Sequence, residues 1–165
     1  VYVGDTGNKR VQVFDADLNY LYAFGGPGIV EGRLDEPVGL AWGPDGLLYV
    51  ADTWNRRVQV LTPQGDFVRA WPVPGWAGQS VLNKPYLAVD SAGRVYASDP
   101  EGQRVVVFDA LGTPLAVLKG AGGGVWLSPA GLALDAQDRL WLSDATGNRL
   151  TRLSAIEAVS RLGSQ

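Results

Sequence analysis

The chain has 165 residues and a net charge of −3 at pH 7, so no strong overall field draws it to nucleic acid or to an anionic membrane. Hydrophobic residues make up 46% and charged residues 19%, which is the balance of a globular domain and not of a disordered one. Cys, His and Met are absent. That removes disulfides, thiolate chemistry and the commonest general base and metal ligand, and no apolar run approaches the roughly 20 residues of a membrane span. The residues predict no metal, no cofactor and no catalytic group.

Read in chain order, one pattern recurs four times. Val1-Tyr2-Val3-Gly4-Asp5 returns as Leu48-Tyr49-Val50-Ala51-Asp52, Val95-Tyr96-Ala97-Ser98-Asp99 and Leu140-Trp141-Leu142-Ser143-Asp144, with the Asp residues 47, 47 and 45 positions apart. Five residues after each Asp stands an Arg: Arg10, Arg57, Arg104 and Arg149. Each Arg opens a second short segment, such as Val58-Gln59-Val60-Leu61. Both segments are short and rich in β-branched or aromatic residues, so they read as strands.

Three copies carry an earlier strand of small apolar residues, starting at Pro37, Pro85 and Pro129, with the one at Pro85 a residue shorter. A further strand follows the Arg segment in three copies, at Tyr20–Phe24, Phe67–Trp71 and Pro114–Leu118. Each unit is thus four strands, a to d from inside to outside, in about 45 residues, which is a propeller blade. The segment Ser154–Leu162 reads equally as a short helix or as a last strand d.

Several of these positions together resemble the NHL repeat. The copy from Pro37 to Val60 carries Gly-Leu-Ala, then Tyr-Val-Ala-Asp-Thr, then Asn-Arg-Arg-Val-Gln-Val; Asp5 to Phe14 follows the same pattern. The third copy departs from it, with Pro100 and Gly102. The expected fold is all-β: a β-propeller of NHL type with four-stranded blades, in one segment over 1–165. The blades fall at 1–34 (partial), 35–82, 83–126 and 127–165. That is about three and three-quarter blades, counting four strands per blade. Propellers of this resemblance usually close with six, so an upstream part is expected to be missing, with open edges that invite association.

Residues that repeat four times belong to the scaffold more readily than to a site used once. Asp5, Asp52, Asp99 and Asp144 with Arg10, Arg57, Arg104 and Arg149 are therefore read as structural pairs, and Trp126 as a core plug. The residues that break the repeat carry the binding expectation. Trp54 falls at the b–c turn, where the other copies have Gly7, Glu101 and Thr146, and Trp76 lies in a d–a connection. With Asn55, Arg56 and Lys9 nearby, these Trp residues predict a hot spot for a protein or glycan partner.

The leading expectation is therefore a non-catalytic binding or scaffold domain acting through its loop face. The resemblance implies two alternatives. One is a fragment of a metal-dependent lactonase or lyase whose site lies in missing blades. The other is RNA binding, which the acidic balance disfavours. It also points to an extracytoplasmic domain of a larger bacterial protein.

Overall fold

A computed structural model describes residues 1–78, 84–121 and 124–154. Among these residues the chain forms four successive antiparallel sheets. The first holds β1 (Tyr2–Asp5), β2 (Arg10–Phe14) and β3 (Tyr20–Gly25). The second holds β4 (Pro37–Trp42), β5 (Leu48–Asp52), β6 (Arg57–Leu61) and β7 (Phe67–Pro72), in that order across the sheet. The third holds β8 (Leu87–Val89), β9 (Val95–Asp99), β10 (Arg104–Phe108) and β11 (Pro114–Leu118). A small hairpin, β12 (Gly120–Ala121) with β13 (Gly124–Val125), precedes the last sheet of β14 (Pro129–Leu134), β15 (Arg139–Asp144) and β16 (Arg149–Ser154).

Meandering sheets of three or four short strands, repeated side by side, are the blades of a partial β-propeller. The described residues contain no helix long and apolar enough to cross a membrane. The hairpin at β12–β13 was not expected, because Gly-rich sequence reads as loop. Beyond Ser154, which closes β16, the segment left open between helix and strand lies outside the described residues.

Among the described residues the core forms three slabs, each between two blades. Tyr2, Val11, Phe24 and Leu34 pack on Leu48, Val50, Leu61 and Phe67. Tyr49, Ala51, Val58, Val60 and Trp71 pack on Leu87, Val95, Ala97, Val106 and Phe108. Tyr96, Val105, Val107 and Leu118 pack on Leu140, Leu142 and Leu153. The period-2 alternation of a strand explains this: on each strand b, the first and third residues face the preceding blade and the second faces the following one. The second and third blades are apolar on both faces because each is sandwiched.

Inner strands crowd one another where the blades converge. A side chain at Gly39 would place its Cβ 2.7 Å from the Leu87 backbone N and 2.8 Å from Tyr86 Cα. Those are backbone atoms that cannot swing aside, so the small residues of strand a are a packing requirement.

Candidate functional site

The b–c hairpins set Asp opposite Arg in every blade: Asp5 with Arg10, Asp52 with Arg57, Asp99 with Arg104 and Asp144 with Arg149. The residue before each Arg turns through positive φ (Lys9 57°, Arg56 57°, Gln103 54°, Asn148 49°), which tightens the hairpin and brings the two side chains together. The ion pairs are 2.7 Å for Arg57–Asp52 and Arg104–Asp99, 2.8 Å for Arg10–Asp5 and 2.9 Å for Arg149–Asp144.

Two of the pairs also hold the loop that precedes their blade. Asp52 accepts the Asp35 backbone N–H at 2.6 Å, and Arg57 donates to the carbonyls of Val30 and Arg33. Asp144 accepts the backbone N–H groups of Leu127 and Ser128, and Arg149 reaches the Val125 carbonyl. These two pairs tie their b–c turns to the preceding d–a connections, and so help to fix the loop face. They bring no reacting group together.

These bonds leave a pH signature. The Arg10 side chain holds the Asp5 carboxyl below the usual carboxylate range. Burial pushes Asp144 up, but the N–H groups of Ser128, Leu127 and Gly147 outweigh it and leave its pKa lowered. A carboxyl with a lowered folded pKa contributes stability above its unfolded pKa, and that contribution disappears as pH falls through the folded value. The urea midpoint is therefore expected to stay flat from neutral pH down to about pH 5 and to fall below about pH 4.

The proposed hot-spot residues do not all meet on the surface. Trp54 is 47% exposed at its turn. Arg56 is exposed and makes no side-chain hydrogen bond or ion pair with the described residues. Lys9 is tied to Asp35 at 2.9 Å. Asn55 is a strut, donating to both Asp52 oxygens and to the Gly28 carbonyl at 2.9 Å.

Trp76 is only 1% exposed, and its indole N–H donates to the Ser98 carbonyl at 2.9 Å. It packs in the slab between the second and third blades, where Leu34 and Trp126 serve the neighbouring slabs. Its expected place on the loop face is thus corrected. Counting back three residues from each Pro found Leu34 and Trp126, but this d–a connection is longer and seats its plug nine residues before Pro85.

Two residues next to Trp54 went unnoticed. Glu36 and Lys84 each stand immediately before the Pro that opens an inner strand, at Pro37 and Pro85. The Lys84 ammonium meets the Glu36 carboxylate at 2.5 Å and lies 5.1 Å from the Trp54 ring centroid. Its side chain is 14% exposed. Burial pushes the Glu36 carboxyl up, but bonds from Lys84 and the Trp54 side chain outweigh it and hold it below its ordinary value. The signal was in the repeat: the corresponding residue in the last blade is Ser128, so the position varies in charge while its flanking Pro does not. With Lys9–Asp35 alongside, a row of paired charges and one open indole runs along the inner rim of the loop face. Among the described residues no three carboxylates gather in a way that could hold a metal ion.

Residues 34–61, spanning β4 to β6, match the family model of the NHL repeat, in agreement with the resemblance read from the sequence. No curated protein matches the chain. Solved structures do. Virginiamycin B lyase from Staphylococcus aureus is 15% identical with a TM-score of 0.70, over 94% of this chain and 49% of that one. A gluconolactonase from Xanthomonas campestris is 23% identical with a TM-score of 0.56, over 81% of this chain and 41% of that one. The dihydro-heme d1 dehydrogenase NirN is 17% identical with a TM-score of 0.62, over 96% and 33%. The chain spans half or less of the length of each, and at these identities the likeness establishes the propeller fold. It also corrects the leading expectation of a non-catalytic scaffold domain, and the expectation that the chain is not an enzyme. The three solved structures named above are enzymes.

Proposed function

We propose that this chain is part of a propeller enzyme of lyase or lactonase type, to which it contributes Glu36, Lys84 and Trp54 on the inner rim of the loop face. The carrying observation is the Lys84–Glu36 pair beside the open Trp54 indole, where two adjacent inner strands begin and the repeat breaks. Two supports come from outside it. Two of the structures with this fold are named as a lyase and a lactonase, and scaffold needs alone do not call for a shielded ammonium beside a binding-type aromatic.

The chemistry follows from the residues. Opening a lactone or eliminating across a ring bond builds negative charge on an oxygen. A fixed ammonium shielded from water stabilises such charge far better than one in bulk solvent. Glu36 keeps Lys84 in place, and the free face of Trp54 offers a platform for a substrate ring. The described carboxylates do not fit a metal site, so no step is assigned to a metal. Groups that take or deliver a proton at the reacting carbon would come from further blades.

The test is to incubate the complete propeller that includes this chain, with its further blades, with gluconolactone and, separately, with virginiamycin B, following ring opening by mass spectrometry. One of the two is expected to be consumed, with Lys84→Met slowing consumption by about 100-fold and Glu36→Gln slowing it less. Consumption of neither compound, or consumption at the wild-type rate by both variants, overturns the reading.

A further inference from the structure

The loop of residues 26–36 sets two aliphatic side chains in solvent: Ile29 is 77% and Val30 65% exposed. Single exposed apolar residues are ordinary on a surface. These two stand on a loop that is held at almost every step. Backbone bonds join Gly28 to Leu34, Leu34 to Gly26 and Arg33 to Val30. From the next blade, Gln59 accepts the Gly32 N–H at 3.0 Å and donates to the Arg33 carbonyl at 2.6 Å, and Arg57 donates to the Val30 carbonyl at 3.0 Å. The loop turns Leu34 inward, fully buried. It leaves Ile29 and Val30 outside while fixing the backbone that carries them.

The same loop is bonded to the turn that carries Trp54. The Trp54 N–H donates to the Asp35 carbonyl at 3.2 Å, and Asn55 donates to the Gly28 carbonyl at 2.9 Å. Trp54 therefore belongs to two neighbourhoods. Its side chain meets Glu36 and Lys84, and its turn abuts the residue before Ile29. Most polar side chains between them are already engaged. Asn55, Arg57 and Gln59 give donors to carbonyls of the loop, and Lys9 pairs with Asp35. Glu31 and Arg56 are exposed.

We infer that the substrate of this site is amphipathic: a lactone or other cyclic ester whose reacting oxygen meets Lys84 and whose apolar arm crosses Trp54 onto Ile29 and Val30. This rests on the reaction site proposed above and adds the class of compound that it takes. A polyhydroxylated ring would have to draw Asn55, Arg57 or Gln59 away from carbonyls that they already satisfy, and each bond broken leaves a group unpaired. An apolar arm needs no such exchange, and it removes indole and aliphatic surface from water. Because the loop is fixed beforehand, little of that gain is lost in ordering it.

Alkyl-substituted lactams test this, since an amide ring resists opening and binding is then read without turnover. The complete propeller that includes this chain is titrated by calorimetry with γ-lactams whose side chain grows from none to hexyl, and with gluconolactam. Affinity is expected to rise about two- to fourfold per methylene, the upper value being complete burial, with gluconolactam among the weakest. Ile29→Ser combined with Val30→Ser is expected to flatten that rise and to leave the melting temperature unchanged. A flat series, a rise that persists in the double variant, a preference for gluconolactam, or no binding by any lactam overturns the inference. Turnover of the matching lactones is followed separately. Graded affinity without ring opening counts against the reaction alone, whereas ring opening at rates indifferent to the arm keeps the reaction and removes the arm.

Discussion

Replacing Trp76 with alanine is expected to cost about 3–5 kcal/mol of folding stability, whereas the same change at Trp54 is expected to fall within about 0.5 kcal/mol. The two residues look alike in the sequence: both are Trp at positions the other copies do not share. Their surroundings differ completely. Trp76 is 1% exposed and fills the slab between the second and third blades, bounded by Val73, Leu87 and Ala97 among others. Removing it leaves a cavity that blade backbones cannot close, because the sheets are held by their ladders, and it strands the Ser98 carbonyl that the indole satisfies. Trp54 is 47% exposed, with one face toward the Lys84 ammonium and a side-chain bond to Glu36. Urea denaturation of the two variants measures the contrast directly. Equal losses would show that Trp54 is built into the core, and would remove the open indole on which the proposed site relies.

The propeller was legible because its signals are repeated. Alternating apolar strands, an Asp and an Arg five residues apart, and small residues on strand a all recur, and each has one physical task that must be done in every blade. Boundaries blurred where the task weakens. β8 forms over Leu87–Val89 alone, though a strand was expected from Pro85 to Asp90; Tyr86 instead meets Ser98 through its backbone N–H.

The candidate site was legible only in part. Trp54 stood out because it is large and departs from the other copies. Glu36 and Lys84 did not, because charged residues beside a turn are ordinary and nothing in the spacing says that one lies 2.5 Å from the other. They sit 48 residues apart, and only blade-to-blade packing brings adjacent inner strands side by side. Trp76 was misplaced for the opposite reason: an unusual residue in a Gly-rich connection reads as exposed, while burial depends on how far the connection reaches across the slab.

Repetition misled the functional reading in a further way. It moved weight onto the scaffold, and with no His and no Cys the scaffold then stood for the whole protein. Yet a lysine with a buried stem and a paired head is also a means of placing charge where water is scarce, and it needs neither of the missing residue types.

Alanine at Asp52 is the other substitution with a large expected effect: about 3–5 kcal/mol of stability, or roughly 10 °C in melting temperature for a chain of this length. The carboxylate is fully buried. It takes the Arg57 Nε at 2.7 Å, the Gln59 amide at 2.9 Å, the Asn55 amide at 2.9 and 3.0 Å, and the Asp35 backbone N–H at 2.6 Å. Without it the guanidinium loses its counter-charge, and Asn55 and Gln59 lose an acceptor they share. The main cost is that of partly buried donors left unpaired, which exceeds the net worth of the bonds themselves. Asp52→Asn keeps the volume and still presents donors to donors, so it is expected to recover little. Alanine at Asp5 is expected to cost clearly less, because the Arg10 and Asp5 side chains of that pair are 41% and 17% exposed, against 17% and 0% for Arg57 and Asp52, and ion pairs nearer water are worth less. The Asp35 N–H bond makes the loss more than a matter of stability. Asp35 adjoins Glu36 and accepts the Lys9 ammonium, so releasing it loosens the rim that carries Lys84. Thermal melts of Asp52→Ala and Asp5→Ala, read beside quenching of Trp54 fluorescence, check both parts. A small and equal loss at the two positions would show that the repeated pairs are interchangeable surface contacts, and that the loop face draws its rigidity from elsewhere.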